Sequence, residues 1–560
     1  MLMEKDVLKF NPYGQFRNGQ FEAIREMSDA IERGDRVINF NAPTAFGKTL
    51  GLVILSRHLL SRGVIKRAIY TTPKVDLVNQ IRKSSIYNIP TIVGKRNYPC
   101  PFLGTMEDVS EINANDCLYS FGKWRHTKEC SGCEKEKSHI PENAMSSCNT
   151  CPYMLDMDRF IGAPLGATTI DRFKFDPMCR SNVDLLVIDE SASLEDKLYN
   201  FGQIKIPVDD TGVKKGMQSK PLIECLKRWG EILVDDEEEL SRRKDQYSIA
   251  LNDNHFDVDV RSLYKAVSAE LESVQRNIRK CEEVISLVES GTPYILVDDD
   301  VDPGVAKRYR QKYGKDYPQK IVFKLLDASG LFWKFVSGIS HIVLASGTPT
   351  TDLIVDEYTN IVAPHPIPID RRLIYYRPVG AMSAKERSAT IPRMIEKIAE
   401  IHDIYHKNTL VHCHSYEIAR NIGDGLKKFK AKVPNVVVQT SLTRKSSYES
   451  WLKMHDAVFL SVDYEEGIDL KGEQFPVCIV AKVPYPYLGD AWVSAKNKLD
   501  GWQWYQWNTI VNIEQACGRC TRDVEDFSST YILDSNFGKL MNNSGTRSKF
   551  QPWFLEAIRT

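Results

Sequence analysis

One short segment carries the residue types that bind the phosphates of a nucleotide. The segment NAPTAFGKT, residues 41–49, lies between an apolar strand pattern and a helix pattern. Backbone N–H groups and a helix N-terminus bind phosphate oxygens, a lysine reaches the β- and γ-phosphates, and a threonine hydroxyl coordinates Mg²⁺. Ala42 stands where such loops usually begin with glycine. The predicted nucleotide-binding residues of this loop are Ala42, Pro43, Thr44, Ala45, Phe46, Gly47, Lys48 and Thr49.

Two acidic residues, Asp189 and Glu190, end a second apolar strand pattern, VDLLVIDE. A nucleotide site needs one carboxylate to hold Mg²⁺ and a second to polarise the attacking water. We expect Asp189 to hold the magnesium together with Thr49, and Glu190 to act on the water. An Asp-Glu pair before a helix is also a common helix cap, so this interpretation depends on the phosphate loop upstream.

A third segment, QACGRCTR at residues 515–522, supplies a glutamine and two arginines three residues apart. That spacing places both arginines on one face of a helix, and a guanidinium group stabilises charge on a transferring phosphoryl group. Taken alone, the segment would indicate only a surface helix. Cys517 and Cys520 have no second cysteine pair nearby, so we interpret them as packing thiols. The predicted catalytic residues are Lys48, Asp189, Glu190, Gln515, Arg519 and Arg522.

Six of the thirteen cysteines lie between residues 100 and 151, in a stretch with little apolar material for a core. A bound metal would supply the missing folding energy, and four thiolates bind either zinc or an iron–sulfur cluster. Considered locally, the two Cys-x-x-Cys pairs, Cys130/Cys133 and Cys148/Cys151, fit zinc. The candidate metal ligands are four of Cys100, Cys117, Cys130, Cys133, Cys148 and Cys151.

The bulk composition narrows the class of protein. The 560 residues are 42% hydrophobic and 26% charged, as in ordinary globular proteins, and the formal net charge is zero. A nucleic-acid partner would therefore need a locally basic groove. We find no apolar run of about 18 residues and no secretory signal at the start. We expect a cytoplasmic protein, at the nucleoid or a viral replication site if the host is bacterial, with no membrane partner.

The elements that position these residues alternate between strand and helix patterns. RVINFNAP, KTLGLVILSRHLLSRG and RAIYTTP follow one another as strand, helix and strand, which is typical of a parallel sheet. From Leu263 to Val288, apolar residues recur at steps of three and four, which predicts one face of a long helix with Cys281 in the core. Residues 200–325 are predicted to be largely helical. A second αβ unit begins near Ile374.

The three nucleotide segments, in this order over two αβ units, resemble a superfamily 2 helicase. Finer motifs resemble its XPD/DinG-like branch, the iron–sulfur helicases. FRNGQ resembles the adenine-reading element and implies that Arg17 and Gln20 contact the base. DYEEGIDLKG resembles motif V, whose candidate nucleotide-binding residues are Gly467 and Asp469. The other similar segments are TTPKVDLVNQ (motif Ia, on the DNA backbone), SGT at residues 346–348 (coupling hydrolysis to movement), and GKRNYPC and CPY (the first and last cluster cysteines).

The resemblance implies an α/β fold of two RecA-like parallel-sheet motor domains, the first interrupted by a metal-cluster insertion and a helical Arch insertion. The predicted limits are 1–95, 166–199 and 326–355 for motor domain 1, 96–165 for the cysteine-rich iron–sulfur domain, 200–325 for the Arch domain, and 356–560 for motor domain 2. It also implies one structural [4Fe–4S] cluster with Cys100 and Cys151 as outer ligands and two of the four cysteines between. Zinc is the alternative.

The resemblance further implies an ATP- and Mg²⁺-dependent DNA helicase, a monomer that moves 5′ to 3′ on single-stranded DNA and unwinds duplex and fork DNA. The alternatives are a translocase that displaces proteins or RNA from DNA, a nuclease, and a nucleotide-gated binding module. Ala192 departs from the branch because it replaces the histidine of the D-E-A-H box. Four aromatic residues could stack on bases, although packing within a lobe is the simpler interpretation for each: Tyr485, Tyr487, Trp502 and Trp504.

Overall fold

The computed structural model describes residues 2–99, 151–253, 258–348, 354–462, 470, 474–518 and 525–560. Several predicted site residues lie outside these ranges: Cys100, Cys117, Cys130, Cys133, Cys148, Gly467, Asp469, Arg519 and Arg522. Among the helices of the described ranges, none has both the length and the apolar composition of a membrane span.

The strands in the described ranges are β1 Val37–Asn41, β2 Ala68–Thr72, β3 Thr91–Ile92, β4 Leu165–Thr169, β5 Leu185–Asp189, β6 Ile204–Pro207, β7 Tyr294–Asp298, β8 Lys320–Leu325, β9 His341–Ser346, β10 Thr359–Val362, β11 Arg372–Gly380, β12 Thr409–His412, β13 Asn435–Val438, β14 Ala457–Ser461, β15 Val477–Val480, β16 Ser528–Asp534 and β17 Ile558–Arg559. The α-helices in the same ranges are α1 Glu4–Leu8, α2 Gln20–Arg33, α3 Lys48–Ser61, α4 Val75–Lys83, α5 Pro152–Gly162, α6 Ile170–Phe175, α7 Pro177–Arg180, α8 Leu194–Gly202, α9 Val208–Thr211, α10 Ser219–Asp253, α11 Val258–Glu289, α12 Pro303–Tyr313, α13 Ser329–Phe335, α14 Arg387–Tyr405, α15 Tyr416–Leu426, α16 Arg444–Leu452, α17 Ala491–Asp500, α18 Trp502–Cys517, α19 Asn536–Asn542, α20 Ser544–Arg547 and α21 Pro552–Ala557.

The chain divides into two compact units. Unit 1 comprises Met1–Ile65, Val187–Ala192 and Ser340–Thr560, and unit 2 comprises Lys66–Leu186 and Ser193–Ile339. The domain limits given above remain predictions.

Unit 1 contains parallel β-structure. Strand β1 lies between β10 and β9 and runs parallel to both. The carboxyl-terminal part forms a parallel sheet with the order β13-β14-β12-β15-β16-β11-β17. Strands β12, β14 and β15 are buried along their whole length, as expected for parallel strands that are covered on both faces. The two parallel sheets of the structure confirm the predicted α/β class.

Unit 2 combines parallel strands, an antiparallel sheet and two long helices. Strand β4 pairs in parallel with both β2 and β3. The helices α10 and α11 pack along each other. The antiparallel order β6-β8-β7 places a small sheet within residues 200–325, a region predicted from its sequence to be largely helical. The long helix α11 is present as predicted. The strands were not predicted: β6 pairs with a segment more than a hundred residues away, and β7 pairs with β8 across the helix α12.

The apolar face of α11 is largely buried, as its periodicity predicts. Val267, Leu271 and Val274 lie in the core, whereas Leu263 near the start of the helix is 45% exposed. Burial raises the pKa of the Cys281 thiol to about 12, so this cysteine stays protonated at neutral pH. Cys281 is therefore a core residue, as expected from its place on the apolar face.

Candidate functional site

The phosphate-loop sequence forms a loop between β1 and α3 in unit 1. Strand β1 is buried throughout and ends at Asn41, and α3 begins at Lys48. Gly47, directly before the helix, has a φ of 84°, a conformation that glycine adopts without steric cost. An α-helix leaves its first N–H groups without intrahelical partners, so the start of α3 suits a phosphate group. Lys48 and Thr49 are thus the first two residues of this helix.

The predicted base-contacting residues, Arg17 and Gln20, hold the loop in its conformation. The buried Gln20 side chain donates through Nε2 to the backbone oxygens of Phe46 and Gly47, at 3.4 and 3.2 Å. Its Oε1 accepts from the backbone N–H of Arg17 at 3.2 Å, and the Arg17 guanidinium donates to the carbonyl oxygen of Ala45. Their contact with a nucleotide base remains a prediction.

Gly47 has a second reason to be glycine, besides its positive φ. A Cβ atom added at this position would lie 2.9 Å from Nε2 of Gln20, closer than a carbon and an amide nitrogen normally approach. The amide of Gln20 therefore packs directly on the backbone of the loop. A side chain at residue 47 would displace it.

The SGT segment, residues 346–348, lies against the phosphate loop. The backbone N–H of Ala42 donates to the carbonyl oxygen of Ser346 at 2.9 Å. A Cβ added at Gly347 would be 3.5 Å from the carbonyl oxygen of Ala42 and 4.0 Å from Nζ of Lys48. The Thr348 N–H donates to Oγ of Ser346 at 3.2 Å and shapes the turn. The ammonium group of Lys48 is therefore beside the segment that resembles the coupling motif.

Asp189 is the last residue of strand β5 and Glu190 directly follows it, and β9 lies between β1 and β5 in the sheet. The buried Asp189 carboxylate accepts from the Glu190 N–H at 2.9 Å. Glu190 has a φ of 51°, which is uncommon for a residue with a side chain and which concentrates at functional positions. Ala192, in place of the box histidine, is in the 3-10 turn Ser191–Ser193.

The side-chain oxygens of Thr49 and Asp189, the predicted magnesium ligands, have the chemistry that this ion prefers. Mg²⁺ prefers hard oxygen ligands, keeps several waters, and is commonly bound by one or two carboxylates together with substrate phosphates. In the described ranges no group of three or more His, Cys, Asp or Glu side chains could hold a metal by itself.

Helix α18 carries Gln515 in its last turn. The helix ends at Cys517, with Gly518 as its C-cap, and Gln515 is half-buried. Cys517 is buried in an apolar cluster with Ile513 and Phe554. Arg519 and Arg522 lie outside the described residues.

Glu514, next to Gln515, is a buried acid that the sequence analysis missed. Its Oε1 accepts from the backbone N–H of Gln551 at 2.6 Å, while Oε2 has no hydrogen-bond partner among the described residues. Burial raises the pKa of this carboxyl to about 8, so it is largely protonated at pH 7. Its helical spacing could have predicted this burial, because Glu514 lies between the apolar residues Ile510 and Cys517 on the buried side of α18.

The two described ends of the cysteine-rich insertion meet in unit 2. The rings of Tyr98 and Tyr153 are 5.4 Å apart between centroids and nearly perpendicular, at 75°. The Tyr98 hydroxyl donates to Oδ2 of Asp156 at 3.1 Å and accepts from Nη2 of Arg82 at 2.5 Å. Arg82 and Asp156 also form an ion pair of 3.1 Å. We call this group of Arg82, Tyr98, Tyr153 and Asp156 the insertion clasp.

The insertion clasp bears on the metal prediction through Cys151. This residue precedes α5 as its N-cap, and its thiol is buried and forms no disulfide with another described cysteine. A site that takes thiolates from both ends of the insertion requires those ends to be close, and the clasp holds Tyr98 beside Tyr153. Cys151 is the candidate ligand that falls within the described ranges.

Comparison with known proteins gives a family match in the carboxyl-terminal part of the chain. Residues 398–556 match the helicase C-terminal domain family. A regulator of telomere elongation helicase 1 homolog from Culex quinquefasciatus is 25% identical over 132 residues, which are 20% of this chain and 13% of that protein. The match therefore spans a small part of that relative's length.

The structure is similar to a solved structure over nearly its whole length. Xpd4 of S. tokodaii superposes with a TM-score of 0.53 and 16% sequence identity, covering 96% of this chain and 99% of that one. A structure of XPD without ligand gives a TM-score of 0.49 and 15% identity, covering 93% and 96% of the two chains. The likeness to Xpd4 confirms the predicted fold class.

Proposed function

We propose that this chain, an XPD-like helicase of superfamily 2 by its fold and its helicase C-terminal domain, hydrolyses ATP to move 5′ to 3′ along single-stranded DNA and unwind duplexes. The observation that carries the proposal is the packing of the SGT segment on the phosphate loop. There Ala42 donates to Ser346 at 2.9 Å, and Lys48 is beside Gly347. A change in the conformation of the phosphate loop would therefore directly affect the SGT segment. The strands of the carboxyl-terminal sheet follow this segment in the sequence.

The residues of the loop bind and orient the nucleotide in this proposal. The start of α3 and the ammonium group of Lys48 hold the phosphates, and Thr49 with Asp189 holds Mg²⁺, which neutralises charge on them. Glu190 accepts a proton from the attacking water and orients it. Arg17 and Gln20, which already brace the loop, contact the base.

The second group of catalytic residues stabilises the charge that develops on the transferred phosphoryl group. Gln515 orients the water or the γ-phosphate, and Arg519 and Arg522 supply positive charge. Gly467 and Asp469 contribute to the nucleotide site from the motif V segment. Because Ala192 has no side-chain hydrogen-bonding group, coupling between hydrolysis and movement depends on the SGT segment and these carboxyl-terminal residues.

We also propose one structural [4Fe–4S] cluster in the insertion, with Cys100 and Cys151 as outer ligands and two of Cys117, Cys130, Cys133 and Cys148 between. The insertion clasp supports this proposal because it joins the two ends that bring in the outer ligands. Zinc, held by two Cys-x-x-Cys pairs, is the alternative.

Protein purified without air is expected to be brown, with a broad visible absorption band that bleaches on reduction. Elemental analysis should find about four irons for each chain, as one cubane cluster requires. A colourless protein with one or more zinc ions for each chain would favour the zinc alternative instead.

Strand separation on tailed duplexes tests the unwinding proposal. With ATP and Mg²⁺, we expect a duplex with a 5′ single-stranded tail to be separated and the same duplex with a 3′ tail to remain paired. The matched assay measures release of streptavidin from a biotinylated single strand. Streptavidin release without strand separation would favour the translocase alternative. ATP hydrolysis that single-stranded DNA does not stimulate would contradict both and favour a nucleotide-gated binding module.

A further inference from the structure

The four aromatic residues that could stack on bases, which follow β15 in the sequence, are of two kinds in the structure. Trp504 is buried and packs edge-on against Trp492, with ring centroids 5.6 Å apart. Tyr485 stacks on Tyr505 at 5.5 Å and an interplanar angle of 15°. These rings serve packing within unit 1.

Tyr487 and Trp502 instead face solvent, with exposed fractions of 79% and 57%. We call these two residues the aromatic pair. Large aromatic side chains are normally buried for most of their surface, so two such rings exposed near one another require an explanation.

Tyr505 connects the two members of the aromatic pair. Its hydroxyl donates to the carbonyl oxygen of Pro486 at 3.0 Å, directly before Tyr487. The ring of Trp502 meets the ring of Tyr505 edge-on, at 5.3 Å and 89°. Upstream, the backbone N–H of Val483 donates to the buried carboxylate of Asp534 at 2.9 Å. The segment that contains Tyr487 and the start of α18, which contains Trp502, are therefore both held by contacts with Tyr505.

The ring of Tyr487 also has a defined position. A Cβ added at Gly489 would lie 2.3 to 2.5 Å from ring atoms of Tyr487, so the ring lies directly over the glycine backbone. An exposed ring that already lies against the backbone needs little rearrangement when a ligand stacks on it. This favours a binding surface over a side chain that is exposed by chance.

The charges around the aromatic pair are largely satisfied within the protein. Asp490 caps α17 by accepting from the Val493 N–H at 2.9 Å, and Asp500 pairs with the buried Lys496 at 2.5 Å. Lys498, near the end of α17, is exposed. Residues 484–517, all of them described, contain Lys496 and Lys498 as their only basic residues, so the binding energy of the aromatic pair would come from the rings.

We propose that the aromatic pair, Tyr487 and Trp502, is a stacking site for the bases of single-stranded DNA. Every base has a flat face, and an aromatic side chain stacks on it with little regard to sequence. The inference rests on the proposed function, because it takes the DNA strand of that function as its ligand. It adds which residues bind the bases, and that this part of the binding energy comes from stacking and not from ionic contacts.

Binding of a fluorescent oligo(dT) to Tyr487→Ala and Trp502→Ala tests the proposal. We expect Kd to rise roughly 5- to 100-fold for each substitution, the range found when stacking residues are removed. Because no phosphate contact is lost, the dependence of log Kd on log salt should keep the wild-type slope. Gly489→Ala should also weaken binding, since it pushes the Tyr487 ring aside without removing it. ATP hydrolysis without DNA should be unchanged in all three.

The matched control is Ile404→Ala, which removes another apolar side chain of unit 1 that is 70% exposed, and it should bind like wild type. A second arm uses an oligonucleotide of the same length with abasic sites, whose affinity should not change on substitution of either ring. Wild-type affinity for oligo(dT) in both ring variants would overturn the stacking site and leave the proposed function standing. Equal weakening on abasic DNA, or a changed salt slope, would also overturn it. Wild-type protein that binds no single-stranded DNA would instead overturn the proposed function.

Discussion

Lys48→Ala is expected to lower the rate of ATP hydrolysis by roughly 100- to 1000-fold, the loss typical when a charge-stabilising group is removed from a reacting centre. Lys48 begins α3, and its ammonium group lies beside Gly347 at the edge of the phosphate loop. Alanine is a good helix former and leaves α3 and the backbone of the loop intact. The loss should therefore reflect the missing charge and not a disordered loop.

The measurement is the steady-state rate of phosphate release, with and without oligo(dT), alongside circular dichroism to confirm folding. Lys385→Ala is the matched control, because Lys385 is an exposed lysine of unit 1 and its removal should leave the rate unchanged. If Lys48→Ala hydrolyses ATP at the wild-type rate, residues 41–49 are not the nucleotide site.

Glu514→Gln is expected to stabilise the protein at neutral and alkaline pH and to flatten the dependence of its stability on pH. In the folded protein burial raises the pKa of Glu514 to about 8, whereas an unfolded glutamate titrates near 4.3. Between these values the unfolded chain has released the proton and the folded chain has kept it. The free energy of unfolding therefore falls as pH rises from about 4 to about 8, and it levels off above.

The size of this effect is on the order of 5 kcal/mol at alkaline pH, since each unit of pKa shift corresponds to about 1.4 kcal/mol. Glutamine keeps an oxygen that can accept from the Gln551 N–H and has no proton to lose. The test compares unfolding transitions of both proteins at pH 5, 7 and 9. The difference should be small at pH 5 and largest at pH 9.

Glu396→Gln is the control for this pH series, because Glu396 is an exposed acid on α14 and its replacement should not change the profile. Parallel profiles for wild type and Glu514→Gln would show that the buried carboxyl titrates near its ordinary value. The expected result would show that the buried carboxyl of Glu514, the residue before Gln515, lowers the free energy of unfolding at neutral and alkaline pH.

The sequence could predict those parts of the fold that depend on neighbours along the chain. The strand before the phosphate loop, the helix that begins at Lys48 and the buried face of α11 all follow from short-range periodicity and glycine placement. The order of the motifs predicted the α/β class in the same way. These features need no knowledge of which distant segments meet.

Contacts between distant segments were beyond reach of the same reasoning. Strand β6 pairs with β8 over a separation of more than a hundred residues, and four residues are too few to show a strand pattern. The hydrogen bonds from Gln20 to the loop carbonyls depend on tertiary packing, and so does the Glu514 oxygen that has no partner among the described residues. In both cases the contacts of a polar side chain depend on backbone segments that lie far away in the sequence.

The insertion clasp affects how well the protein tolerates changes in the length of the cysteine-rich stretch. Fixing both ends of a segment costs conformational entropy. This cost grows only with the logarithm of the segment's length, by about 0.6 kcal/mol for each doubling. Because Tyr98 and Asp156 hydrogen-bond across the two ends of the cysteine-rich stretch, we expect a change in the length of that stretch to cost little stability. The flanking strands β3 and β4 should keep their register through such a change.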